Sequence, residues 1–120
     1  MVLNTQMRES ICRHYKADWL KEAPAIVVVL GNRESCWKRP EGTPIVDIDI
    51  GIAMEHFVLA ATAEGLSTCW ICAYDMEQMN RALGIMAPWS VYAISPLGYA
   101  AGEPRPLERK PIADIFKVLK

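Results

Sequence analysis

The chain has 120 residues, 52% hydrophobic and 22% charged, with a formal net charge of −1; this is the make-up of one soluble globular domain over 1–120, large enough to bury a core without disulfide or metal staples. Its 13 basic and 14 acidic residues are spread along the chain with no Lys/Arg block, so nucleic acid is not expected as a partner. Residues 1–10 carry no charged-then-apolar leader, and four irregularly spaced cysteines read as reduced thiols, so a cytoplasmic protein is expected.

Thr5 to Leu20 is rich in helix formers and places Met7, Ile11, Tyr15 and Trp19 four apart, which predicts a helix over 5–20 with one apolar stripe. Pro24 then opens Ala25-Ile-Val-Val-Val-Leu30, an unbroken, mostly β-branched run that fits a buried strand over 25–30. Gly31 to Thr43 reads as a polar loop punctuated by Pro40 and Gly42.

Pro44 to Leu66 is apolar over a length that invites a membrane span. Asp47, Asp49, Glu55, His56 and Glu64 exclude that reading, because each ionisable group in hydrocarbon costs a few kcal/mol. The segment predicts instead a helix over 47–64, capped by Asp47 or Asp49 and ended by Gly65 in a left-handed turn. Ile48, Ile52, Met54, Phe57, Val58, Leu59 and Ala61 spread over much of its circumference, so it is expected to be buried nearly all round, in a core or a subunit interface. Glu55 and His56 read as residues of that interface rather than as catalytic acids.

Residues 67–72 predict a short strand, Asp75 to Leu83 a short helix (75–83) capped by Asp75, and residues 90–96 another strand. Pro96 to Pro106 holds three prolines and two glycines and must be extended or turning. Residues 110–118 close the chain as an amphipathic helix with Pro111 in its first turn. No internal repeat or low-complexity segment interrupts this order.

Cys69-Trp-Ile-Cys72 has the spacing of a redox dithiol. A thioredoxin-type pair sits at a helix N-terminus, where the dipole lowers the thiolate pKa, whereas this pair follows a helix-ending glycine in a run that favours extended backbone. On a strand, residues three apart stand about 10 Å apart on opposite faces, beyond the roughly 7 Å that a disulfide allows. The two are therefore expected to be unbonded, small, buried hydrophobes. No zinc site is expected, since Cys12, Cys36, His14 and His56 supply no second paired spacing.

Asp47-Ile-Asp-Ile-Gly-Ile-Ala53, Leu59-Ala-Ala61 and Glu64-Gly-Leu-Ser-Thr-Cys-Trp-Ile71 followed by Asp75 together resemble the core signature of the FMN-dependent nitroreductase family. Ala93-Ile-Ser-Pro-Leu-Gly-Tyr99 resembles that family's last central strand and its turn, and Glu103-Pro-Arg-Pro106 with Arg109-Lys-Pro111 resembles the basic, proline-punctuated segment that follows. The resemblance runs in order from about residue 20 to 115. It implies an α/β (α+β) sandwich in which a central, mostly antiparallel sheet is flanked by helices. The family's opening arginine-rich helix and the segment leading to its first strand are not found, so the chain reads as truncated at its N-terminus, with a sheet edge exposed. Cys72 stands where many members carry a glycine close to the flavin ring.

That resemblance implies FMN as cofactor, NAD(P)H as electron donor, and a nitroaromatic or quinone-like acceptor, a small aromatic molecule in either case. It also implies a homodimer. Backbone groups of Trp70, Ile71, Cys72 and Ala73 would line the ring edge, and Arg109 would pair with the FMN phosphate. Trp70 read from the residues alone is equally a core aromatic, and Arg109 equally a solvated surface charge. No residue is assigned a catalytic role. The FMN site is expected to be weak or incomplete, and the other reading is a flavin-free, inactive fragment that folds as a dimer.

Overall fold

Asn4 starts the first helix: its side-chain oxygen accepts the Met7 amide at 3.0 Å, satisfying one of the donors that a helix N-terminus leaves open. The computed structural model describes residues 1–103 and 106–119; Pro104 and Arg105, both within the proline-punctuated segment, and Lys120 lie outside the described residues. Helix α1 covers Thr5–His14, short of the expected 5–20. Tyr15 is already extended, its ring meets Trp19 edge-on at 6.1 Å, and Asp18–Glu22 forms a separate 3₁₀ turn that buries Leu20. The predicted stripe breaks because the core takes Ile11 and Leu20, while Met7 and Trp19 stay open to solvent.

Three strands form one antiparallel sheet in the order β1-β3-β2: β1 is Ala25–Asn32, β2 is Ser67–Thr68 and β3 is Trp89–Gly98. The first and last are longer than expected. β1 runs past Leu30 into the predicted loop, because Gly31 and Asn32 find partners in Ser90 and Trp89. The second is shorter than the predicted 67–72. Only Ser67 and Thr68 pair with Gly98 and Leu97; the Cys69 amide then turns to the Ser95 hydroxyl at 3.2 Å, and Ile71 alone returns to bridge Ile94. The outer edge of β1 is met by Val2, whose amide and carbonyl pair with Ile26.

The β1–β3 register slips between Val29 and Leu30, which face Ala93 and Val91, so Tyr92 is an extra residue on β3. A bulge of this kind re-aims one side chain while the rest of the strand keeps its alternation. On one face Ile26, Val91 and Ile94 pack with Ile11 and Cys12 of α1, Leu20, Ile71 and Met79 into the main core. Met79 belongs to α3, Met76–Leu83, which begins as expected with Asp75 accepting the Gln78 amide at 2.8 Å.

The opposite face carries α2, Val46–Ala63. It ends as predicted, with Gly65 at φ +73°, but it starts differently. Ile45 is the N-cap and makes no side-chain cap bond; Asp47 and Asp49 lie inside the first turn, where they act on the helix dipole. Nor is α2 buried all round. Val46, Met54 and Ala61 are buried, whereas Ile48, Ile52 and Leu59 are 49%, 54% and 59% exposed, because a single sheet covers a single helix face.

Past Gly98 the described residues form an exposed arm. Its helix α4 is one short piece, Ile112–Ile115, with Pro111 as N-cap and no buried residue, in place of the predicted 110–118. A helix of this length gains too little from its own hydrogen bonds to extend without a surface to pack on. The Cα radius of gyration is 16.8 Å, against about 13.6 Å for a compact chain of this size.

Candidate functional site

The segment Trp70–Ala73 forms a shelf between β3 and α2. Its irregular course begins at Cys69, which faces Pro96, a residue with no N–H to donate; the Cys69 amide goes to the Ser95 hydroxyl instead, and the strand leaves the ladder until Ile71. Of the expected site residues, Ile71 is buried and pinned to Ile94 by two backbone hydrogen bonds of 3.0 Å, which fixes the height of the shelf. Trp70, Cys72 and Ala73 are exposed. Among the described residues their amides donate to no protein acceptor. Exposed, fixed N–H donors in a row can meet the edge of a planar, electron-accepting ring.

Cys69 and Cys72 are free thiols, as expected, but neither is a buried hydrophobe. Both lie beyond the end of the ladder, where no second layer covers them. Cys72 Sγ instead accepts the Trp70 indole N–H at 3.0 Å and donates to the Tyr92 carbonyl at 3.4 Å. Trp70 is a shelf aromatic, 43% exposed, rather than a core one, and its ring lies against α2 at Gly51.

Arg109 is not brought to the shelf by any hydrogen bond among the described residues. It sits exposed on the arm, and its guanidinium donates to the neighbouring Glu108 carbonyl at 3.4 Å.

Three residues at this site are ones that sequence reasoning missed. Tyr92, turned by the bulge, sets its ring in the space that Gly31 leaves: a Cβ on Gly31 would fall 2.7 Å from the ring and 2.8 Å from Val46. Arg33 donates from Nε to the Tyr92 hydroxyl at 2.9 Å and from Nη2 to Asp47 at 2.5 Å. The Tyr92 bond, with the nearby Asp47 charge, pushes the Arg33 pKa further up. The one signal in the sequence was a glycine directly after a β-branched run; nothing there marked the bulge. On the other side of the shelf, Tyr74 is half-buried, points its hydroxyl to the Val91 carbonyl at 3.4 Å, and is held in its protonated form by burial.

The sequence model of the nitroreductase family matches residues 3–99. No curated protein matches the chain by sequence. Among solved structures, a nitroreductase family protein from Clostridium difficile 630 superposes with a TM-score of 0.86 at 23% identity, covering 97% of this chain and 69% of its own. A nitroreductase family protein from Clostridium novyi NT gives 0.72 at 32% identity, covering 81% of this chain and 58% of its own. An NADPH:FMN oxidoreductase from Vibrio harveyi, solved with NAD+, gives 0.81 at 20% identity, covering 97% and 55%. The chain thus spans little more than half to about two thirds of the length of these proteins.

Proposed function

Since the chain belongs to the nitroreductase family, we propose that it forms the sheet-and-shelf part of an FMN-dependent oxidoreductase that takes electrons from NAD(P)H and passes them to nitroaromatic or quinone-like acceptors. One observation carries this reading: Trp70, Cys72 and Ala73 present amides that no acceptor among the described residues pairs, along an exposed shelf, the donor set that a flavin ring edge needs. The protein from Vibrio harveyi, named for NADPH and FMN, supports the same chemistry at the level of the fold.

FMN, when bound, supplies the hydride and electron chemistry. The chain's own part is binding and orientation. The shelf amides hold the ring edge and favour negative charge on it. Ile71, tied to β3, keeps them at a set height. Arg109 offers a guanidinium fork to the phosphate, and its lack of an acidic partner among the described residues leaves that fork available. One such contact is worth a few kcal/mol, against about 8 for micromolar affinity, so this chain binds FMN weakly.

The exposed apolar side of α2 supports a homodimer, because Ile48, Ile52 and Leu59 together make a patch that a lone subunit seldom leaves open. The four free cysteines fit a reducing, cytoplasmic setting. Among the described residues no helix is long and apolar enough to cross a membrane.

Titration of FMN into the purified chain, followed by quenching of flavin fluorescence, tests the reading. Binding weaker than micromolar, weakened further by Arg109→Ala, is expected. Failure of the chain to bind at all favours the inactive fragment; tight binding indifferent to Arg109→Ala removes the phosphate role. Sedimentation across a range of concentrations tests the dimer, and a monomer throughout would overturn it.

A further inference from the structure

The contacts around the shelf close into a ring that begins and ends on one face of α2. Asp47 accepts from Arg33; Arg33 donates to the Tyr92 hydroxyl, with its guanidinium carbon 6.0 Å from the Tyr92 ring centre. The Tyr92 carbonyl accepts from Cys72, and Cys72 Sγ accepts from the Trp70 indole. The far edge of that indole then lies 4.0 Å from where a Cβ on Gly51 would stand. Asp47 and Gly51 are four apart on the helix and so share a face. Tyr92 can complete the ring because it is the bulge residue: left out of the β1 pairing, it turns its ring toward Gly31 and Val46 and its carbonyl toward the shelf.

We propose that Cys72 is a positioning residue that latches the Trp70 indole with its far edge against α2, and that this latch sets the geometry of the shelf for a flat aromatic ring. The latch needs one atom at position 72 that both accepts an indole N–H and donates to a carbonyl. A thiol does this, a hydroxyl does it, and a methyl group or a hydrogen does not. The indole edge stops beside Gly51, where even a Cβ would meet it only at ordinary contact distance, so the helix leaves room for the latched ring. Glycine at position 72 would offer a ring the same backbone without holding Trp70. The cysteine therefore exchanges backbone freedom for an ordered aromatic wall.

The proposal rests on the reading of residues 70–73 as a flavin shelf, and its test separates the two. Cys72→Ser, Cys72→Ala and Trp70→Phe are all exposed substitutions that leave the core intact. The first readout needs no flavin: the near-UV circular dichroism lost in Trp70→Phe defines the signal of an ordered Trp70. That signal is expected to persist in Cys72→Ser and to vanish in Cys72→Ala. The second readout is FMN titration, in which Cys72→Ala raises Kd about fivefold, the worth of one ordinary hydrogen bond, while Cys72→Ser stays within about twofold. A Trp70 signal unchanged in Cys72→Ala overturns the latch. A signal that vanishes with no change in FMN affinity overturns its role in shaping the shelf. If the signal vanishes and neither the wild type nor any variant binds FMN, the flavin reading falls and the latch stands as a structural contact.

Discussion

The two faces of the sheet are built from similar residues and end in different states. On one, α1, α3 and the turn at Leu20 close over Ile26, Val91 and Ile94, and the chain supplies its own second layer. On the other, α2 is the more apolar helix, yet three of its large side chains face outward and the polar ring around Tyr92 lies open at its N-terminal end. The contrast separates hydrophobicity from burial. α3 buries one residue, Met79, on a clearly two-sided helix, and that is enough because its polar side is meant for water. α2 mixes exposed Asp49, Glu55 and His56 with exposed Ile48, Ile52 and Leu59, so it has no clean polar side and leaves apolar surface open that one sheet cannot cover.

The largest effect that tests this contrast is a cavity on the closed face. Met79→Ala, at a fully buried position, is expected to cost about 2–5 kcal/mol of stability, read as a lower midpoint in urea. Ile52→Ala on the outer side of α2 should change the stability of the dilute monomer by less than about 0.5 kcal/mol and weaken self-association instead. Equal losses at both positions would erase the distinction between the faces.

Gly31→Ala comes next. Its methyl group would fall under 3 Å from the Tyr92 ring, which Arg33 holds in place, and from Val46. Overpacking of this kind costs about 1–3 kcal/mol, and relief by Tyr92→Leu in the double variant would locate the strain. A smaller loss, about 1 kcal/mol, is expected for Asp75→Ala, which leaves the Gln78 amide without its cap; Asp75→Asn should restore most of it.

The smallest effect is a pH dependence confined to the closed face. Burial, the leading cause, raises the Cys12 thiol above its ordinary 9.0, partly offset by Lys21 and Arg8. The folded chain then holds a proton that the unfolded chain gives up. That contribution is complete below pH 9.0 and is lost as pH rises through the folded value. Tyr74, raised the same way by burial, extends the loss further into the alkaline range. Urea midpoints should therefore be flat near neutrality and fall above about pH 9, less steeply in Cys12→Ala than in the wild type. A wild-type profile that Cys12→Ala matches at every pH would show that the thiol carries no linkage.

Much of this was legible in the sequence, and for local reasons. The ends of α2 and α3 were readable from Gly65, whose positive φ suits a residue without a side chain, and from Asp75, whose carboxylate reaches an amide three residues on. The run at 25–30 announced a strand because β-branched side chains crowd a helix. The family signature singled out Trp70–Ala73 as one stretch because motif residues keep their neighbours in the chain. Arg109 was legible only as a motif match, since its neighbours on the arm do not decide where the arm lies.

What tertiary structure decided depends on groups far apart in the chain. The ladder of β2 ends after Thr68 because the pairing sets Cys69 opposite Pro96, which has no N–H to donate, and the Cys69 amide goes to the Ser95 hydroxyl instead; the proline is visible in the sequence, but its place opposite Cys69 exists only once the strands pair. Tyr92 faces α2 because β3 carries one residue more than β1 at that point, a mismatch that exists only once the two strands pair. Apolar composition alone marked α2 as a helix with more apolar surface than a surface helix carries. Which of its faces this chain covers was settled by the single sheet it has to lie on.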